Sequence, residues 1–355
     1  MGIEITGWGK CTPSAVLTNH DLESILDTND EWITSRTGVK ERRIAEASLS
    51  EIGTVAAKHA LAAADKDPQS IDAVMMATCT PEFLIPSTAS RVQMNIGNNT
   101  AAAFDFNSAC TGFVYGLTTA YSMIQSGIFN NALWGGGEEV SYFLDWTARD
   151  SAVLFGDGAG AVLIEKTDSD SKLHASKMTC DPFLGEALML KNFGTSMELK
   201  DPREGYFFGI SFEGQEIFKN AVKTMARLAE EALEEAGLSI DEIDLCIPHQ
   251  ANLRILEATA KRCKFPMEKM IINLDQYGNT SAGSIPIALT EALEQNKVKP
   301  NSKILFLAFG GGLTGAATVV DWGARPHALK TSAEKLPGST MPAHELVKDI
   351  LNMYK

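Results

Sequence analysis

Cys110, His249 and Asn279 are the side-chain types that acyl transfer through a thioester requires: a nucleophile and two hydrogen-bond donors for a developing oxyanion. Cys110 falls where a predicted strand over 101–106 gives way to a predicted helix running to about Gln125, flanked by Ser108, Ala109, Thr111 and Gly112. Small neighbours let the backbone turn sharply and let a substrate reach the sulfur. A helix N-terminus presents free N–H groups and the positive end of the macrodipole, so this position predicts a lowered thiol pKa and a thiolate. The other cysteines (Cys11, Cys79, Cys180, Cys246 and Cys263) lack a strand-to-helix position, which leaves Cys110 as the candidate nucleophile. His249 follows the predicted strand Leu245–Pro248, and Asn279 lies in a Gly278-Asn279-Thr280-Ser281-Ala282-Gly283 turn. A lone histidine is usually structural. A thiol, an imidazole and an amide at related turns point to chemistry.

The turns are related because the chain repeats itself. An Ala-rich helical run over 56–64, a polar connection and an apolar Ala73–Ala77 match a helical run over 226–236, a polar connection and Leu245–Pro248. The strand and turn around Cys110 match a predicted strand over 270–274 and the turn holding Asn279. Phe155-Gly156-Asp157-Gly158-Ala159-Gly160-Ala161 parallels Phe309-Gly310-Gly311-Gly312-Leu313-Thr314-Gly315. The offsets are 172 residues at the first match (Ala73 to Leu245), 168 at the second (Ala102 to Met270) and 154 at the third (Phe155 to Phe309). Order is kept while loop lengths drift. That implies an internally duplicated α/β fold, with halves at 1–170 and 171–323 and a tail at 324–355. Residues 173–206 read as an irregular loop or lid. The tail carries a helical pattern from Pro342, whose Leu346, Val347, Ile350 and Leu351 form an apolar stripe suited to packing on the body.

Composition narrows the function. A net charge of −14 argues against general attraction to nucleic acid or anionic lipid. No apolar run reaches the roughly 20 residues that span a bilayer, and the N-terminal residues lack a secretory pattern. Scattered cysteines without a Cys-x-x-Cys pair predict a reduced, cytosolic protein. Cys246 and His249 have no second ligand pair at zinc-finger spacing, so no metal is expected. The glycine turns run into strands rather than helix N-termini, which excludes a phosphate loop.

With these residues in place, the chain resembles the β-ketoacyl-acyl carrier protein synthase III family of thiolase-fold condensing enzymes. The likeness runs from residue 1 to about 323. It rests on Asp30-Glu31-Trp32-Ile33 with Arg36-Thr37-Gly38, Ala109-Cys110-Thr111-Gly112-Phe113, the glycine turn from Phe155, Pro248-His249-Gln250-Ala251-Asn252-Leu253-Arg254-Ile255, Gly278-Asn279-Thr280-Ser281-Ala282, and Phe309-Gly310-Gly311-Gly312.

The resemblance implies a five-layered αβαβα architecture and a ping-pong condensation. Cys110 takes an acyl group from acyl-CoA, malonyl-acyl carrier protein loses CO₂, and the carbanion attacks the acyl-cysteine. His249 and Asn279 would bond the malonyl thioester carbonyl. The N–H groups of Cys110 and Gly311 would form an oxyanion hole. Trp32 and Arg149 would sandwich the CoA adenine, Arg36, Asn252 and Phe309 would line the pantetheine channel, and Ile85 and Phe155 would bound the acyl pocket. CoA would be substrate, with no resident cofactor. An acidic carrier protein needs a basic dock: Lys219, Lys223, Gln250, Arg254, Lys261, Arg262 and Lys264 are expected to supply one, with Lys40, Arg42 and Arg43 as a second cluster. The family is homodimeric.

Two departures stand out. Thr314-Gly315 replaces the family's Thr-Trp-Gly. Ile85 stands in a loop, reaching towards the partner's acyl pocket, where an aromatic residue is common. A smaller floor predicts acceptance of primers longer than acetyl. A degradative thiolase would need a second cysteine in the late glycine loop, and none is there. A synthase serving a secondary metabolite or signal would keep the same Cys, His and Asn.

Overall fold

Ala73–Ala77, Leu245–Pro248 and Lys303–Gly310 form strands apolar on both faces, so the sheets that hold them must be covered on both sides. The computed structural model describes residues 2–191, 193–196 and 209–353. In the first half they form β1 (Gly2–Cys11), β2 (Ala15–Thr18), β3 (Glu41–Ile44), β4 (Ala73–Ala77), β5 (Ala102–Phe106), β6 (Asn131–Glu138) and β7 (Gly158–Thr167). In the second half they form β8 (Leu173–Cys180), β9 (Leu188–Lys191), β10 (Gly209–Phe212), β11 (Leu245–Pro248), β12 (Lys303–Gly310) and β13 (Thr314–Asp321).

Among the described residues, one sheet has the order β1-β7-β6-β4-β5 and another the order β11-β12-β13-β8. Reversed, the second sheet repeats the first: β8 stands for β1, β13 for β7, β12 for β6 and β11 for β4. Alternation along each strand divides its side chains between layers. In β12, Ile304, Phe306 and Ala308 join the central core while Leu305, Leu307 and Phe309 face outward. The central layer is filled by the helices Gly112–Gln125 and Ser284–Glu294, through Phe113, Leu117, Ile285 and Leu289. The helix Leu49–Ala63 covers the outer face of the first sheet, and the helices Gly214–Ala236 and Leu253–Cys263 cover that of the second. Five layers of helix, sheet, helix, sheet and helix result.

Two sequence expectations are corrected. Residues 173–206 are not one irregular loop. Leu173–Cys180 is a strand antiparallel to β13, and β9 pairs with β10 around the stretch 197–208, which lies outside the described residues. Hydroxyls and charges hide β8 from hydropathy: Ser176 bonds Thr118 and Thr318 between the layers, and Lys177 pairs with Glu235. The expected strand over 270–274 shrinks to a single parallel bridge, Cys246 to Met270, because the chain turns into the short helix Leu274–Tyr277.

The tail crosses from the second half back to the first. Leu329 N–H donates to Ala63 O, Lys58 pairs with Glu334, and the helix Ala343–Met353 lays Leu346, Val347 and Ile350 into a cluster with Leu22, Leu26, Ile33 and Trp146. No helix among the described residues is long and apolar enough to cross a membrane.

Candidate active site

The C-terminal ends of β6, β11 and β12 and the turns after β5 and Tyr277 converge on one cavity of about 1150 Å³, lined by Cys110, His249, Asn279 and Gly311 among others. Strand ends converging on a crevice are the usual ligand site of an α/β sheet. Cys110 sits in a tight 3₁₀ turn (Ala109–Thr111) leading into the helix at Gly112, and Ala109 takes a φ of 49°. A left-handed conformation at a non-glycine residue is strained and must be held by its surroundings. Holding it are Thr111 Oγ1, which donates to Thr314 Oγ1 at 3.0 Å, and Ala109 N–H, which donates to Asn107 Oδ1 at 3.2 Å. Thr314, where the family carries Thr-Trp-Gly, thereby ties the nucleophile turn to the glycine loop. Gly310 is needed for closeness: a Cβ there would meet Cys110 Cβ at 2.8 Å.

The backbone N–H groups of Gly311 and of Cys110 itself both face the sulfur, and Ser281 Oγ lies 3.4 Å from it. The expected thiolate is not what the surroundings favour. Burial pushes the Cys110 thiol up to about 11, and the Ser281 hydroxyl and these two N–H groups offset only part of that. The resting nucleophile is a neutral thiol.

His249 is held by its N–H on Leu307 O and by its ring. Nδ1 lies 2.7 Å from Ser284 Oγ, which also accepts Gln250 N–H at 3.3 Å. Ser284 Oγ–H donating to Nδ1 is the arrangement that puts the imidazole proton on Nε2. Burial pushes the His249 pKa down to about 3, so the ring is a neutral hydrogen-bond donor rather than a base. Asn279 N–H donates to Leu154 O and its carbonyl accepts from Gly156 N–H, so the turn is stitched to the glycine turn of the first half. Its Oδ1 accepts from Ser281 N–H at 2.8 Å, leaving the NH₂ group to act as a donor.

The remaining expected residues divide. Trp32, Arg36, Asn252, Arg254, Phe155 and Phe309 line the same cavity. Arg149 lies over the Trp32 ring at 4.4 Å and donates to Asp27 O, so no ring fits between them until Arg149 moves. Asn252 caps the helix Leu253–Cys263 by accepting from Arg254 N–H. Lys219, Lys261 and Arg262 are exposed on two helices packed together beside the cavity. Ile85 is 85% exposed, next to exposed Phe83 and Leu84, and does not line this chain's cavity.

Gln250 cannot meet a partner protein. Its buried amide donates to Pro248 O and Ile271 O and accepts from Asn273 N–H. Arg42 likewise drops out of the second basic cluster: it is fully buried and donates to Leu17 O, Asn19 Oδ1 and Val153 O. Three residues went unassigned in the sequence. Ser281 stood in the quoted turn without a role, Ser284 follows that turn, and Glu138 ends β6 as a fully buried carboxylate. A Gly-Gly-Gly-Glu run closing an apolar strand was the available signal.

The chain is similar to known proteins over most of its length. Residues 104–182 match the family 3-oxoacyl-[acyl-carrier-protein (ACP)] synthase III, and residues 233–322 match the family described as its C terminal. The chain is 48% identical over 352 residues to β-ketoacyl-[acyl-carrier-protein] synthase III 2 of Vibrio cholerae serotype O1, covering 99% of this chain and 97% of that protein. The crystal structure of 3-oxoacyl-[acyl-carrier-protein] synthase III from Aquifex aeolicus VF5 superposes with a TM-score of 0.85 at 45% identity, over 90% of this chain and 100% of that one. The priming β-ketosynthase of the R1128 polyketide biosynthetic pathway superposes with a TM-score of 0.86 at 29% identity, over 91% of this chain and 97% of that one.

Proposed function

The chain belongs to the 3-oxoacyl-[acyl-carrier-protein] synthase III family, and from that premise we propose how its residues divide the work. The reaction is a decarboxylative condensation of an acyl primer with malonyl-acyl carrier protein, the step that initiates fatty acid synthesis. Cys110 attacks the carbonyl of acyl-CoA. The N–H groups of Cys110 and Gly311 receive the oxyanion, and coenzyme A leaves as product rather than staying as a cofactor. Malonyl-acyl carrier protein then enters. His249 Nε2–H and the Asn279 amide donate to its thioester carbonyl, which takes on enolate charge as CO₂ departs. The carbanion attacks the acyl-cysteine, and the product leaves on the carrier.

The observation that carries this reading is the convergence of Cys110, His249, Asn279 and Gly311 on one cavity. Intact-mass spectrometry after incubation with acyl-CoA tests it. One acyl adduct is expected on the wild-type chain and none on Cys110→Ala. An adduct that survives the substitution rejects Cys110 as the nucleophile.

Three finer assignments follow. The carrier protein docks on Lys219, Arg254, Lys261 and Arg262, whose exposure beside the mouth suits an acidic partner. The enzyme works as a homodimer: β5 is a sheet edge with half-exposed Phe104 and Phe106, and Phe83, Leu84 and Ile85 stand beside it unburied. Medium-chain primers are accepted, since the cavity walls of Val140, Phe143, Leu188 and Leu190 are apolar and Ile85 is smaller than an aromatic floor. The ratio kcat/KM, measured from acetyl- to decanoyl-CoA, should hold or rise past acetyl; a steep fall there rejects the primer assignment.

A further inference from the structure

The Cys110 thiol must shed a proton to attack, and His249 is placed to donate rather than to accept. The site therefore needs another proton acceptor. Glu138 lies beside it without any part in the steps above. The carboxylate accepts from Thr78 Oγ1 at 2.9 Å, Thr80 N–H at 2.9 Å, Thr80 Oγ1 at 2.6 Å, Cys79 N–H at 3.0 Å and Cys79 Sγ at 3.3 Å. Among the described residues, no cation pairs with it. Ser281 Oγ bridges it to the nucleophile, 3.2 Å from Glu138 Oε1 and 3.4 Å from Cys110 Sγ. Ser281 takes a φ of 49°, a strained conformation fixed by its N–H on Asn279 Oδ1. A carboxylate buried without a counter-ion is costly to keep for structure alone.

We propose that Glu138 stores the Cys110 proton, passed through the Ser281 hydroxyl, for the lifetime of the acyl-enzyme. The thiol S–H bond breaks as Ser281 Oγ takes that proton and hands its own to Glu138 Oε1. The sulfur lone pair attacks the primer carbonyl, and the C–S bond to coenzyme A breaks. The departing CoA thiolate takes its proton from solvent. On condensation the tetrahedral intermediate expels Cys110 as thiolate, and Glu138 returns the proton through Ser281. Each turnover then consumes one solvent proton, as the overall reaction demands. The relay moves one negative charge without adding a second. It also leaves a neutral acid, not a carboxylate, near the enolate that His249 and Asn279 must stabilise. Burial raises the pKa of Glu138, which helps it to hold a proton.

The proposal rests on Cys110 being the acylated residue, and the experiment separates the two. Infrared difference spectra of the full-length enzyme before and after acylation should show a new deuterium-sensitive carboxylic-acid band in the wild type. Glu138→Gln should lack that band while intact mass still finds its adduct. Acylation should slow about 100-fold in Glu138→Gln and in Ser281→Ala at neutral pH, recover in part at alkaline pH, and be partly restored in Glu138→Asp. The ionisable groups facing Glu138 are the thiols of Cys79 and Cys110, and Glu139 follows it in the chain. Primer-free decarboxylation of malonyl-acyl carrier protein should persist in Glu138→Gln, a split that a merely structural role would not produce. An adduct on wild-type Cys110 without the acid band overturns the relay. So does equal loss of acylation and decarboxylation in Glu138→Gln. No adduct at all on the wild type overturns the nucleophile assignment, and the relay with it.

Discussion

The turn Asn107-Ser108-Ala109-Cys110-Thr111-Gly112 and the turn Asn279-Thr280-Ser281-Ala282-Gly283-Ser284 share one backbone with opposite duties. In each, an asparagine Oδ1 accepts the N–H two residues on, that same residue has a φ of 49°, and a 3₁₀ turn opens a central helix. The offset is 172 residues, so Cys110 corresponds to Ala282 and Asn279 to Asn107. The sequence had matched these two turns at an offset of 168, measured between their strands; the dihedral angles correct it to 172. Duplication therefore supplied two strained turns, and specialisation came through side chains. One turn presents sulfur, the other an amide and a hydroxyl. Asn107 is exposed in this chain, whereas Asn279 is buried in the cavity.

Moving the thiol between the turns should break the comparison most severely. Ala282 is buried in the central core and does not line the cavity. The double variant Cys110→Ala/Ala282→Cys should lose at least about 10⁴-fold in condensation and give no adduct by intact mass. Recovery of an adduct would mean that the two positions are chemically equivalent. Next in size, Asn279→Ala should slow malonyl-acyl carrier protein decarboxylation by about 10²–10³-fold, the usual cost of one oxyanion donor, while Cys110 still acylates. Asn107→Ala should slow acylation by loosening the nucleophile turn while leaving decarboxylation within a few-fold; if it slows decarboxylation as much as Asn279→Ala, the division of roles fails. The smallest effect is expected from pH. Because burial holds His249 neutral above about 3, decarboxylation should stay flat from about pH 5 to 8. A decline centred near about pH 6.5 that disappears in His249→Asn would show that the ring protonates.

Much of this was legible in residue types. Cys110, His249 and Asn279 stood out because small-residue turns and strand ends leave local marks. Sheets covered by helices could be read from the duplicated strand–helix units, and the five layers from the resemblance. What escaped was set by tertiary contact. Arg42 looks like a surface cation, but three oxygens from distant segments draw it inside. Gln250 looks available, yet it closes hydrogen bonds around Asn273. The predicted thiolate failed because a helix N-terminus is visible locally, while the burial that outweighs it is not. Glu138 carried no motif, since its meaning comes from Ser281, which lies 143 residues away.

The tail helix Ala343–Met353 has a temporal consequence. It packs in the cluster that backs Trp32, so residues synthesised after both halves complete the wall of the cavity mouth. Cys110 and its two sheets can be assembled while those residues are still emerging. The nucleophile turn can thus be in place before the cavity mouth acquires its final backing.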